Sequence, residues 1–152
     1  MEIWQLTATE LKQKIADGEI SAREATESHL SRMSRLNDKL NAVVESCEVE
    51  ALREADAVDN KRLKGDKLGA LAGVPVTVKV NVDQKGYATT NGLQLQKDLI
   101  AKTDNPVVNN LRRAEAIIIG RTNTPAFSLR WFTRNVIHGH TKNPLNPLVT
   151  PG

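Results

Sequence analysis

The sequence predicts an α/β fold, a helical layer over residues 1–65 followed by a β-α-β unit over residues 71–152, and three observations carry that prediction. Two stretches near the start, Thr7-Ala8-Thr9-Glu10 and Ser21-Ala22-Arg23-Glu24, have the Ser/Thr-x-x-Glu form of a helix start. From Val74 to Val82 every even position is valine, while Pro75, Thr77, Lys79 and Asn81 occupy the odd ones. Ala116-Ile117-Ile118-Ile119-Gly120 is an unbroken apolar run closed by glycine, the pattern of a strand covered on both faces.

In chain order, the hydroxyl of Thr7 and the carboxylate of Glu10 can satisfy each other's orphan amides, and Asp17-Gly18 supplies a left-handed cap that ends the first helix. A second helix from Ser21 places Ala22, Ala25 or Thr26, His29 or Leu30, Met33 and Leu36 on one stripe and ends near Asn37-Asp38. Asn41-Ala42-Val43-Val44 reads as an extended connector, and Glu48 to about Leu63 as a third helix. Arg62 to Gly69 is a charged link into the valine-alternating strand, whose period of two puts one side chain up and the next down. After it, Lys85-Gly86-Tyr87 turns the chain and Thr89-Thr90-Asn91-Gly92 forms a polar loop. Asp104 caps a helix with Pro106 in its first turn and Val107, Val108, Leu111 and Ala114 on helical spacing. Strand, helix and strand then read as a right-handed crossover between two parallel strands. Thr124-Pro125-Ala126-Phe127-Ser128 is expected to open a short helix with Phe127 and Trp131 on one face, and Asn143 to Gly152 is a proline-punctuated extended tail.

At 152 residues the chain fits one domain, of a size that normally buries about 68–70% of its unfolded surface. Hydrophobic residues make up 39% but aromatics only 3%, so the core must be packed by Val, Ile, Leu and Ala. Two strands make a poor sheet by themselves, because both leave an edge open. Self-association into a homo-oligomer, or docking of a second chain, is therefore expected. The net charge of +3, from 21 Lys and Arg against 18 Asp and Glu, is interleaved rather than clustered and does not form a nucleic-acid footprint. Cys47 is the one cysteine, so no intramolecular disulfide forms. No run approaches the ~20 apolar residues of a membrane helix and no basic leader precedes one, which makes the cytoplasm the expected location.

Of the residues with chemistry to offer, Lys79 has two readings. It sits on a polar strand face with Thr77 and Asn81, spaced about 7 Å by the ~3.3 Å rise per residue; that face is either solvated at a sheet edge, or it buries Lys79 and lowers its pKa enough to make it a base. His29 reads as a helix-surface histidine, and Cys47 has no histidine in local reach to activate it. His138-Gly139-His140 alternates like a two-ligand site but lacks the third and fourth ligands zinc takes, so no metal is assigned. Gly120-Arg121-Thr122-Asn123 does not match a phosphate loop, and no nucleotide cofactor is implied.

Leu71 to Asn81, Thr89-Thr90-Asn91-Gly92, Asp104 to Gly120, Gly120-Arg121-Thr122-Asn123 and Thr141 to Gly152 resemble, in order and spacing, the amidase signature family. The resemblance implies an incomplete part of that family's α/β/α sandwich and an amide-bond hydrolase with a Ser-Ser-Lys triad, in which Lys79 takes a proton from the bridging serine. Val80 departs from the aspartate many members carry after this lysine, whereas Asn81 matches. In the family the stretch equivalent to Thr150-Pro151-Gly152 leads into a Gly-Ser-Ser-Gly-type loop. Both serines would therefore lie outside this chain, which is expected to be inactive alone. A complementing C-terminal amidase chain is the expected partner, and a small amide the expected substrate once it is present. The alternative is a catalytically silent relative that acts as a self-assembling or binding module.

Overall fold

The computed structural model describes residues 2–151. Its helices are α1 (Ala8–Asp17), α2 (Ala22–Leu40), α3 (Glu48–Leu63) and α4 (Pro106–Arg113), and its strands β1 (Val43–Ser46), β2 (Pro75–Lys79), β3 (Ile117–Thr122), β4 (Arg134–Asn135) and β5 (Gly139–His140). Three strands form one sheet in the order β1-β3-β2, and β4 pairs with β5. β1 runs antiparallel to β3. Ile117 N–H donates to Val74 O (2.9 Å) at one end of the other pair and Val80 N–H to Thr122 O (3.0 Å) at its far end, so β2 and β3 run parallel. The α/β class with its helical layer and β-α-β unit holds. No helix among the described residues is long and apolar enough to cross a membrane.

The chain divides into two compact units, one holding the residues through Ser34 with Cys47–Thr77 and Asn109–Ile119, the other Arg35–Ser46, Val78–Val108 and the residues from Gly120 onward. In the first, both predicted capping boxes form. Thr7 and Glu10 exchange bonds of 2.8 and 3.3 Å, and Ser21 and Glu24 exchange bonds of 2.7 and 3.0 Å. The α2 start is held further by a neighbouring helix, because the Asp59 carboxylate accepts from the Ala22 and Arg23 amides at 2.8 and 3.0 Å. Its core is aliphatic, as the low aromatic content requires: Leu11 and Ile15 of α1, Ala22, Ala25 and Leu30 of α2, Ala51, Ala55 and Val58 of α3, with Ala72, Ile117 and Ile119. Burying each large member contributes about 1.5–3 kcal/mol. Gly73 makes that packing possible. Its φ is +77°, and a Cβ there would stand 2.8 Å from Ile15 Cδ1 and 2.9 Å from Ala22 Cβ. Glu115, itself at φ 63°, joins the loop before β2 to α3 by accepting from Gly69 N–H at 2.5 Å and pairing with Lys61.

In the second unit the connector expected at Asn41–Val44 turns out to enter β1, whose partners on β3 are Val43 with Thr122, Glu45 with Arg121 and Ser46 with Gly120. Asn37 organises the entry: its Oδ1 accepts from the Ala42 and Val43 amides at 3.0 and 2.9 Å. The valine-alternating strand is shorter than its pattern. β2 ends at Lys79, where Val82 N–H donates back to Lys79 O at 3.0 Å and closes a turn. Val78 and Val80 are buried as expected. The helix after this segment is capped by Asn105, whose Oδ1 accepts from Val107 N–H at 2.9 Å, while Asp104 accepts from Lys85 N–H instead. The helix expected from Thr124 is replaced by a single 3₁₀ turn, Ala126–Ser128, with Phe127 at φ 57°. Trp131, 90% exposed, joins no packed face.

Candidate functional site

Lys79 is the last residue of β2, the edge strand beside β3 among the described residues. Its side chain is half-buried, and its ammonium has no hydrogen-bond or ion-pair partner among the described residues. The turn that follows puts Asn81 two residues on, past the fully buried Val80. Asn81 Nδ2 donates to Ser128 Oγ at 3.1 Å. Ser128 Oγ lies 2.9 Å from Thr124 Oγ1, which donates to Pro125 O at 3.1 Å. With the threonine proton committed to that carbonyl, Ser128 is the donor in the hydroxyl pair and has its lone pairs left for Asn81. The line of donors therefore runs Asn81 to Ser128 to Thr124 to Pro125. Phe127 and Ser128 both hold left-handed backbone, at φ 57° and 58°, conformations that cost non-glycine residues of order 1–3 kcal/mol each.

The strained turn is held in place by a buried asparagine pair. Asn135 Nδ2 donates to Asn123 Oδ1 at 2.7 Å and to Thr124 O at 2.8 Å, while Asn135 Oδ1 accepts from the Ile137 and His138 amides at 2.9 and 2.7 Å. Asn123 Oδ1 also accepts from Thr124 N–H at 2.9 Å, and Asn123 Nδ2 donates to Thr141 Oγ1 at 3.0 Å. All hydrogen-bonding groups of the Asn135 side chain that these bonds use are met in the protein, which is what makes buried amides specify one loop geometry. Gly92 lets the neighbouring loop approach, since a Cβ on it would meet Asn135 Cβ at 3.1 Å and Ala126 Cα at 3.2 Å. A cleft of about 450 Å³ opens beside this turn, lined among others by Leu93, Ala126, Arg130, Phe132 and Arg134. Lys79 is not in its lining.

Arg121, which the sequence offers as part of a family-like segment and as no match to a phosphate loop, is a buried anchor in this unit. Its side chain is 0% exposed, and its guanidinium reaches Glu45 Oε2 at 2.7 Å, Ala88 O at 2.7 Å and Val82 O at 3.0 Å. The Tyr87 ring stands 5.5 Å away. Arg121 thereby ties the segment leaving Lys79 to β1. The other candidates resolve locally: His29 Nδ1 is 2.8 Å from Ala25 O, and Cys47 is buried at the start of α3. His140 is exposed, while His138 Nε2 lies 3.1 Å from Thr90 Oγ1. Among the described residues no group of three or more His, Cys, Asp or Glu gathers as a metal-ligand set.

Burial pushes the His138 imidazole below its ordinary value; the Glu45 charge opposes this and Arg121 reinforces it. An unfolded chain takes up this proton near pH ~6.5, where the folded unit still holds the ring neutral. The unfolded state thus binds more protons in that window, so the contribution is present above pH ~6.5 and is lost as the pH falls through the folded value. The melting temperature followed from pH ~7.5 to ~5.5 is expected to fall on acidification, with a shallower slope in His138→Gln.

The Amidase family model matches residues 24–152. An indoleacetamide hydrolase of Bradyrhizobium diazoefficiens is 51% identical over 150 residues, which are 99% of this chain and 29% of that protein. A glutamyl-tRNA(Gln) amidotransferase subunit of Streptomyces coelicolor is 38% identical over 151 residues, 99% of this chain and 30% of that one. Among solved structures, a bacterial aryl acylamidase of the amidase signature family superposes with a TM-score of 0.93 at 28% identity, covering 100% of this chain and 32% of its own. The chain thus spans about three tenths of the length of the relatives it matches.

Proposed function

Because this chain belongs to the Amidase family, we propose that it is the lysine-bearing part of an amide-bond hydrolase, with Lys79 as the base of a site whose serines come from outside it. The observation that carries this reading is Lys79 itself. It is a half-buried lysine at the end of a strand, without an ion-pair partner among the described residues, in a segment that matches enzymes acting on amides. An amine in that setting can accept a serine proton when a hydroxyl is brought to it, and the ammonium so formed can then give a proton back as the amine of the substrate departs. No cofactor is called for. The reading places the protein in the cytoplasm.

The chain alone is then inactive, and adding a polypeptide that supplies the remaining sequence of the Bradyrhizobium relative restores hydrolysis. Indoleacetamide, on which that relative acts by name, is the substrate to try first. Purified chain, purified complement and their mixture are assayed for released indoleacetate. Activity confined to the mixture supports the reading, and turnover by the chain by itself overturns it.

A second reading, a self-assembling or binding module without catalysis, draws on the exposed apolar residues. Leu129, Trp131, Val136, Leu145 and Leu148 are each at least 80% exposed, apolar side chains that a partner could cover. A complementing chain would cover the same residues as a second copy would. Native mass separates the two: a homo-oligomer that persists when complement is added favours the module, and its replacement by a one-to-one complex favours the hydrolase.

A further inference from the structure

We propose that Asn81 is a positioning residue for Lys79: the two side chains are not bonded to each other in this structure, and a turn of the lysine side chain brings its ε-nitrogen to donate to Asn81 Oδ1, with Ser128 and Thr124 holding the amide in the orientation that receives it. The inference rests on the reading of Lys79 as the base and adds to it a residue that acts through the lysine.

Three observations meet at this point. Asn81 Oδ1 is buried and has no hydrogen-bond partner, a state that costs a carbonyl its lost water unless a donor arrives. The Lys79 ammonium, which has donors and no acceptor, is two residues away across a turn closed by Val82 N–H and Lys79 O at 3.0 Å, and it has no partner among the described residues. The orientation of the amide is set from its far side. Nδ2 donates to Ser128 Oγ at 3.1 Å, and with the serine proton given to Thr124 Oγ1 at 2.9 Å, which in turn donates to Pro125 O at 3.1 Å, the serine oxygen meets Asn81 as an acceptor. The amide nitrogen is therefore committed to Ser128 and the oxygen is left to accept from a donor. The left-handed backbone at Phe127 and Ser128 is what brings the serine hydroxyl to this place, a local strain of the kind that persists where a side chain must be aimed. A lysine held by one N–H on Asn81 has its lone pair directed away from the turn.

The test reads the lysine without reading hydrolysis. The chain and its Asn81→Ala, Asn81→Asp, Ser128→Ala and Asn81→Ala/Ser128→Ala variants are treated with trace N-acetoxysuccinimide. Acetylation of Lys79 is followed by peptide mass spectrometry relative to the exposed Lys12 of the same molecules. Loss of the acceptor releases the ammonium and is expected to speed Lys79 acetylation about fivefold in Asn81→Ala, the worth of one hydrogen bond. The carboxylate of Asn81→Asp holds the ammonium harder and slows it. Ser128→Ala moves in the direction of Asn81→Ala, and the double variant goes no further than Asn81→Ala, because the serine acts through the asparagine. Alanine and aspartate shifting the rate in the same direction, rates that do not change, or single effects that multiply in the double variant would each overturn the proposal. Should Asn81→Ala fail to fold, the opposed signs of Asn81→Asp and Ser128→Ala decide it. Hydrolysis in the complemented protein that survives Lys79→Ala would remove the catalytic reading and leave the positioning intact, so the two can fail separately.

Discussion

Lys79→Ala is expected to lower kcat of the complemented hydrolase by about 10²–10⁴-fold, the range a positioned general base supplies. The Michaelis constant for indoleacetamide should move little, because the proposed role is to move a proton and not to bind the amide. Lys79→Arg is expected to restore nothing: a guanidinium stays protonated at any pH the protein survives and cannot accept the serine proton. Steady-state kinetics of the three proteins, each mixed with excess complement, give the comparison. A Lys79→Arg variant that keeps a tenth or more of the activity would mean that a positive charge, not a base, is what position 79 supplies. The half-buried setting of this side chain at the end of β2 allows the substitutions without the loss of core packing that would follow at Val78 or Val80.

Arg121→Ala is expected to cost about 3–5 kcal/mol, the penalty for breaking a buried ion pair from one side. The guanidinium is 0% exposed, and its removal strands the Glu45 carboxylate together with the carbonyls of Ala88 and Val82, which it now contacts at 2.7, 2.7 and 3.0 Å. Because native proteins hold only about 5–15 kcal/mol in all, a loss of that size should be felt as local opening of residues 82–90, the segment that leaves Lys79. Arg121→Lys should recover only part of it, since one ammonium cannot fork to three acceptors as a planar guanidinium does. Amide hydrogen exchange is the measurement. Protection of the Thr89 and Ala101 amides, which donate to Leu99 O and Tyr87 O at 2.9 Å each, should fall in Arg121→Ala and fall less in Arg121→Lys. Unchanged exchange there would mean that the loop is held by its own backbone bonds.

What the sequence made legible follows from how local each signal is. Both capping boxes could be read because donor and acceptor sit three residues apart, and the apolar run at Ile117–Ile119 and the valines at 74, 78 and 80 announce burial by composition alone. β1 escaped because Val43–Ser46 is four residues long and its identity as a strand depends on β3, far along the chain. Arg121 escaped as a buried anchor for the same reason: its acceptor Glu45 lies 76 residues away. The turn at Phe127 and Ser128 was misjudged as a helix because Pro125 and Ala126 suit a helix start, whereas Asn135 and Asn123, which override that preference, are ordinary loop residues until they are seen buried and paired. Lys79 was legible as a candidate through the resemblance of Leu71 to Asn81 to a family. Its relation to Asn81 and Ser128 needed the turn that ends β2.

The measurement that bears most directly on the central claim is covalent trapping of the nucleophile. The chain, its complement and their mixture are treated with a fluorophosphonate, which phosphonylates activated serines, and the mass of each polypeptide is read intact. The account predicts one adduct, on the complement alone and only in the mixture, and its disappearance when the chain carries Lys79→Ala. An adduct on the chain itself, at Ser128 or any other of its serines, or labelling of the complement that is indifferent to Lys79, would contradict it.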